Sequence, residues 1–147
     1  MLLFVVICLV ELVHIYVHID GASRGNPGEA GIGVVIKDGK NNIIKRYNEY
    51  IGIKTNNEAE YIALKKGLEL ALNYCRKHIT ILSDSELIVR QRRRQYKTKK
   101  KHLKSLAREV QTLEKMFEIV EYQNVPREHN READKLANQA IDGSTLK

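Results

Sequence analysis

Four carboxylates, Asp20, Glu60, Asp84 and Asp134, could do chemistry together, and the first three stand where an ionised side chain is either costly or oddly placed. Asp20 follows the alternating run His14 to Ile19 and opens a glycine-rich turn (DGASRGNPG), so an expected strand finishes on an acid. Asp84 does the same at the end of HITILSD. Glu60 is followed at three, four, seven, eight and eleven residues by Ala63, Leu64, Gly67, Leu68 and Ala71, which puts it on the apolar stripe of its own helix. A charge on a core-facing stripe is expensive unless something compensates it. Asp134 lies early in a final helix, in NREADKLAN.

Each acid also has an ordinary explanation. Ser83 to Glu86 fits a capping box, and an acid such as Asp134 is favourable near a helix N-terminus. Their convergence carries the argument. Ligands of open α/β sheets bind in the crevice beyond the carboxyl ends of the parallel strands. Asp20 and Asp84 point there if their strands are neighbours, and Glu60 and Asp134 can reach it from the first turns of two helices. Four carboxylates in one crevice raise each other's pKa values unless cations neutralise them, and oxygen-only ligands favour Mg²⁺ or Mn²⁺ over zinc. Glu58 is different, because Thr55-Asn56-Asn57-Glu58 has the spacing of a capping box and assigns it a structural role. His14 and His18 have the interval of a zinc-binding helix but fall on a strand, and are set aside as ligands.

The elements that must position these acids come in a clear order. His14 to Asp20, Gly31 to Lys37 and Ile43 to Tyr50 read as strands, the last two joined by the turn Asp38-Gly39-Lys40-Asn41, so the first three are expected to be antiparallel neighbours. The period then changes. Helices are expected over Thr55 to Tyr74, Ser85 to about Tyr96, about Lys100 to Lys115 and Asn130 to Ile141, with strands at His78 to Ser83 and Phe117 to Val125. A meander followed by alternating helices and strands implies an α/β fold with a mixed sheet whose second half is parallel.

Length and charge bound the rest. A chain of 147 residues is one domain's worth, read as a catalytic body over 14–142 with a short tail at 143–147. The net charge is +7, yet Arg90 to Lys104 (RQRRRQYKTKKKHLK) holds nine Lys and Arg with no acid, and the remainder nets −2. The positive charge is one patch, which points to an anionic partner. Cys8 and Cys75 form no close-spaced metal or redox motif, as in a reduced, intracellular (cytoplasmic) protein. Residues 1–13 form an apolar extension that Glu11 stops well short of a membrane span. An overlong gene start, an extra strand segment and an apolar docking arm all fit it. A monomer without membrane association is expected, with a dimer through this arm as the alternative.

DGASRGNPG, TNNEAEY, SDSELIV and NREADKLA, in this order and spacing, resemble the four blocks of the type 1 ribonuclease H family. The resemblance spans nearly everything from His14 to Ile141. It implies a ribonuclease H-like fold, a five-stranded mixed sheet of order 3-2-1-4-5 flanked by helices, and endonucleolytic hydrolysis of the RNA strand of an RNA/DNA hybrid that leaves 5′-phosphate and 3′-hydroxyl ends. Carried over position by position, the family's metal-binding catalytic acids fall on Asp20, Glu60, Asp84 and Asp134, which would hold two Mg²⁺ or Mn²⁺ ions; Asp20, on a rigid strand end, is the choice for the ligand that bridges both. One ion would generate the attacking water and the other would stabilise the leaving oxygen.

The same resemblance places Asn26, Asn56 and Asn57 against minor-groove edges and sugars, and Thr55 on a DNA phosphate in competition with its capping role. Gly21, Gly25 and Gly28 would let backbone groups approach the nucleic acid, and the basic run with Tyr96 would supply sequence-independent phosphate attraction. Two departures from the family follow. Its loop histidine about ten residues before the last acid has no match in register, and Arg127 and His129 in NVPREHN are the candidates to contact the scissile phosphate or move a proton. The basic segment also lacks tryptophan. A nuclease of the same superfamily acting on double-stranded RNA or structured DNA, and a non-catalytic hybrid-binding module, are the alternatives in function.

Overall fold

The computed structural model describes residues 12–94 and 100–145. The apolar segment 1–11 and Tyr96 of the basic run lie outside them. Five strands, β1 (His14–Ser23), β2 (Gly28–Lys37), β3 (Ile43–Lys54), β4 (His78–Ser83) and β5 (Ile119–Asn124), form one sheet in the order β3-β2-β1-β4-β5. The first three pair antiparallel, whereas β4 and β5 run parallel to β1. This is the mixed sheet, half antiparallel and half parallel, that the element order implied.

Local chemistry explains the meander. Between β2 and β3, Asp38 Oδ1 accepts from the amides of Lys40 and Asn42, each at 2.9 Å, and Asn41 takes a positive φ of 67°. The helices are α1 (Asn56–Ala71), α2 (Glu86–Arg92), α3 (Lys101–Glu114) and α4 (Arg131–Thr145). Ile15, Val17 and Ile19 of β1 are fully buried in a core shared with Leu64 and Leu68 of α1 and Leu103 and Val110 of α3. Strand alternation turns the opposite face of β1 and β2 toward α4.

Several boundaries differ from the sequence pattern. β1 runs past Asp20 to Ser23, because its ladder with β2 continues to the Ser23–Ala30 pair. Its parallel ladder with β4 stops at His18–Leu82, so Asp20 lies within a strand that has lost one neighbour. The sheet therefore opens between β1 and β4 at the level of Asp20. α2 ends at Arg92 instead of near Tyr96, and Phe117 precedes β5, its amide closing the turn after α3 by donating to the Glu114 carbonyl at 3.2 Å. α4 continues to Thr145, past Ile141. A 3₁₀ turn at Arg127–His129 leads into it.

Candidate active site

Two helices reach Asp20 because glycines remove the side chains that would hold them off. A Cβ on Gly21 would lie 2.3 Å from the carbonyl carbon of Ala59, so only glycine lets the first turns of α1 touch β1 there. On the other face, Gly33 pairs with Asp20 across the β1–β2 ladder, and a Cβ on it would lie 2.0 Å from the Ala133 carbonyl oxygen of α4. Glu60 and Asp134 are carried to Asp20 on these two contacts. At Gly21, expected to ease the approach of nucleic acid, the missing side chain admits a helix.

Asp84 is the residue after β4, and it does not cap α2. Ser85 does so, its Oγ accepting from the Ile88 amide at 3.3 Å, while Ser83 Oγ accepts from Ser85 at 3.0 Å. The capping explanation for Asp84 fails, and its carboxylate belongs to the crevice. Glu58, in contrast, completes the capping box: Thr55 Oγ1 accepts from the Glu58 amide at 3.2 Å, and Glu58 Oε1 accepts from the Thr55 amide at 2.9 Å.

Asp20, Glu60 and Asp84 each place a carboxylate oxygen within 4.8 Å of the others. Asp134 is half-exposed and lines the same cleft of about 870 Å³ beside them. Burial pushes the Asp20 carboxyl far above the usual carboxylate range, and Glu60, Asp84 and Asp134 all push it further. Glu60 is raised by burial too, although its Oε1 accepts from the Gly21 amide at 2.9 Å. Asp84 is raised by burial against the pull of Arg127.

The second oxygen of Glu60, Oε2, is buried with no hydrogen-bond partner. A buried, unpartnered carboxylate oxygen facing two further acids is costly in isolation and is the donor set that hard divalent cations select. The cluster Asp20, Glu60 and Asp84 therefore fits a divalent cation.

A family model described as reverse transcriptase-like matches residues 18–140. Ribonuclease HI of Halobacterium salinarum is 37% identical over 128 residues, and its solved structure superposes with a TM-score of 0.85, covering 88% of this chain and 98% of that one at 36% identity. The chain belongs to the type 1 ribonuclease H family. LC11-RNase H1, solved in complex with an RNA/DNA hybrid, is another member: 40% identical, with a TM-score of 0.85, covering 89% of this chain and 99% of that one. A bifunctional protein of Mycobacterium tuberculosis is 37% identical over 131 residues. The chain spans 36% of the length of that protein and 64% of the Halobacterium ribonuclease HI.

The residues that family resemblance assigns to the nucleic acid are spread more widely. Asn26 Oδ1 accepts from the Asn56 amide at 3.1 Å, which ties the glycine-rich loop to the start of α1. Asn56 is exposed and lines the acid cleft; Asn57 and Thr55 beside it are half-exposed. Arg127 also lines the cleft, its Nη2 3.9 Å from Asp134 Oδ1 and its side chain 80% exposed. His129 does not line it. It sits in a smaller depression with His18, Lys37 and Glu132.

The basic run divides. Arg92 pairs with Glu114, whose carboxylate also accepts from the Tyr122 hydroxyl, and the side chains of Arg92 and Glu114 are only 11% and 18% exposed. Arg93 donates to the Tyr122 carbonyl. These two arginines hold α2 against α3 and β5, which corrects the reading of the whole run as a phosphate surface. Lys100, Lys101 and Lys104 are exposed.

Sequence reasoning missed Asn130, which is 1% exposed and donates from Nδ2 to the Ile19 carbonyl at 2.8 Å. Its own carbonyl accepts from the Asp134 amide at 3.1 Å, so it links the strand and helix segments that carry Asp20 and Asp134. Its place at the start of an expected helix concealed this. Arg24 and Asn138, both in the cleft wall, were missed as well; the spacing of Asn138, one helical turn after Asp134, was the available signal.

Proposed function

We propose that this chain hydrolyses the RNA strand of RNA/DNA hybrids, leaving 5′-phosphate and 3′-hydroxyl ends, with Asp20, Glu60, Asp84 and Asp134 holding two divalent cations, Mg²⁺ or Mn²⁺. The observation that carries the reading is the buried, unpartnered Glu60 Oε2 set in a cluster with Asp20 and Asp84 at the mouth of the open sheet. Bound divalent cations supply a water of lowered pKa and neutralise charge on the leaving oxygen.

The chain's own residues then orient and select. Asp20 would be the shared ligand, since Glu60, Asp84 and Asp134 all bear on its carboxylate, Glu60 most, and it stands on a strand rather than a helix. Gly21 holds Glu60 through its amide. Asn26, Asn56 and Asn57, on the loop and the helix start that the Asn26–Asn56 bond joins, read sugars and minor-groove edges, where the 2′-hydroxyl marks the RNA strand. Thr55 keeps its cap while presenting this turn to a DNA phosphate. Arg127, an exposed cation on the cleft wall, meets the scissile phosphate or the departing product; His129 lines a separate depression and is second choice, for moving a proton. Lys100, Lys101 and Lys104 add phosphate attraction that does not depend on sequence. Among the described residues no helix is long and apolar enough to cross a membrane.

Incubation of end-labelled RNA/DNA hybrid, RNA/RNA and DNA/DNA with Mg²⁺ or Mn²⁺, beside a chelator control, tests substrate and cofactor together. Cleavage confined to the RNA of the hybrid, lost with chelator, is the expected result. Equal cleavage of RNA/RNA assigns the site to a broader duplex nuclease, and hybrid binding without any cleavage assigns a non-catalytic module.

A further inference from the structure

Arg24 reaches from the β1–β2 loop onto α4. Its Nη1 lies 2.6 Å from Asp142 Oδ1, and its Nη2 donates to Asn138 Oδ1 at 3.3 Å and to the Asn138 carbonyl at 3.4 Å. Asn138 Nδ2 in turn donates to Asp134 Oδ1 at 3.3 Å and to the Asp134 carbonyl at 3.0 Å. Asp134, Asn138 and Asp142 are four residues apart, so they form a stripe on one face of α4. Arg24, Asn138 and Asp134 all line the acid cleft.

Stability does not account for this arrangement. The Arg24 and Asp142 side chains are 42% and 59% exposed, and an ion pair so open to solvent contributes little to stability. The chemistry of the amide gives a better reason. A guanidinium bonded to Asn138 Oδ1 polarises that amide, so its N–H donates more strongly to Asp134. Asp134 needs such support more than Asp20 and Glu60 do, because it stands half-exposed while those two are packed.

We propose that Arg24 is a positioning residue for Asp134: through the Asn138 amide it fixes one oxygen of that carboxylate and so sets how tightly the cleft takes a divalent cation. The inference rests on Asp134 being a cation ligand in the function proposed above. It also gives the glycine-rich loop a second duty. The segment that carries Asn26 toward the nucleic acid is the one that braces the far wall of the cation site.

The test is calorimetric titration of Mg²⁺ into the full chain without nucleic acid, for wild type, Arg24→Ala, Arg24→Lys, Asn138→Ala, Asp142→Ala and the Arg24→Ala/Asn138→Ala double variant. Loss of either relay member is expected to weaken Mg²⁺ binding about ten-fold. The double variant should be no weaker than either single one, since both break the same relay. Arg24→Lys should recover part of the loss, and Asp142→Ala should stay within about two-fold of wild type, as an exposed pair allows. Melting in chelator shows that each variant is folded; should Arg24→Ala fail there, Arg24→Lys and Asn138→Ala carry the comparison. Wild-type Mg²⁺ affinity in Arg24→Ala, or losses that add in the double variant, overturns the inference alone. A wild-type chain that takes up no Mg²⁺ overturns this inference and the cation-dependent reading together.

Discussion

Gly21 donates its amide to Glu60 Oε1 at 2.9 Å, and its Cα lies so close to α1 that a Cβ would fall 2.5 Å from the Glu60 amide nitrogen. The contact sets the distance between β1 and the helix that carries the buried Glu60. Gly21→Ala must displace backbone, not a flexible side chain. Overpacking of this kind costs about 1–3 kcal/mol, and a shift near 1 Å at a reacting site costs about a hundred-fold in rate. Thermal melting and hybrid cleavage together should show the activity falling far more than the stability.

Removing charge at Asp20 should separate stability from function. Its folded-state pKa is raised above the unfolded value, as is that of Glu60, so the stability tied to these groups is fully present below about pH 4 and is lost as pH rises through the folded values. In chelator at pH 8 the protein has therefore lost much of it. Asp20→Asn should melt higher than wild type under those conditions, by roughly 2–4 °C for each kcal/mol recovered, and flatten the fall of Tm with pH. Cleavage should vanish. A variant that melts no higher than wild type at pH 8 in chelator would contradict the electrostatic account.

Glu58 and Glu60 are two residues apart and should behave oppositely. Glu58→Ala removes half of a capping box and should cost about 0.5–2 kcal/mol while leaving cleavage within a few-fold of wild type. Glu60→Gln should retain or gain stability in chelator and lose cleavage. A paired melting and rate measurement on the two variants decides it.

The basic run should split in the same way. Glu114→Ala strands the Arg92 guanidinium in a partly buried site, and breaking such a pair costs about 3–5 kcal/mol, visible as a large drop in Tm. Replacing exposed Lys100, Lys101 and Lys104 with Ala should leave Tm nearly unchanged. It should also reduce the slope of log K for hybrid against log salt by about 0.7–0.9 for each phosphate that the variant no longer neutralises.

Asp20, Asp84 and Glu60 could be read from the chain because each violated a local expectation: an acid after a strand run, and an acid on an apolar helical stripe; Asp134 violated none and was read from its convergence with them. The same logic separated Glu58 from Glu60, since capping is a contact over three residues and leaves its mark in local spacing. Asp84 shows the limit. By spacing Ser83 to Glu86 fits a capping box, and the backbone geometry instead makes Ser85 the cap. His129 and Arg127 show it again, since two residues along a 3₁₀ turn divide one into the depression by His18 and leave the other on the acid cleft.

By itself the amino-acid order determined the elements, the mixed sheet, the acidic quartet and the family, because periodicity, caps and motif spacing act over a few residues. Tertiary structure alone decided that β1 outruns β4 and opens the sheet at Asp20, that Gly21 and Gly33 admit α1 and α4 to either side of it, and that Arg92 is a partly buried latch while Arg24 braces Asp134. Those relationships join residues up to 118 positions apart, as Arg24 and Asp142 do, and are set by how close two packed backbones can come. No local pattern encodes that distance; it appears only when the helices settle on the sheet.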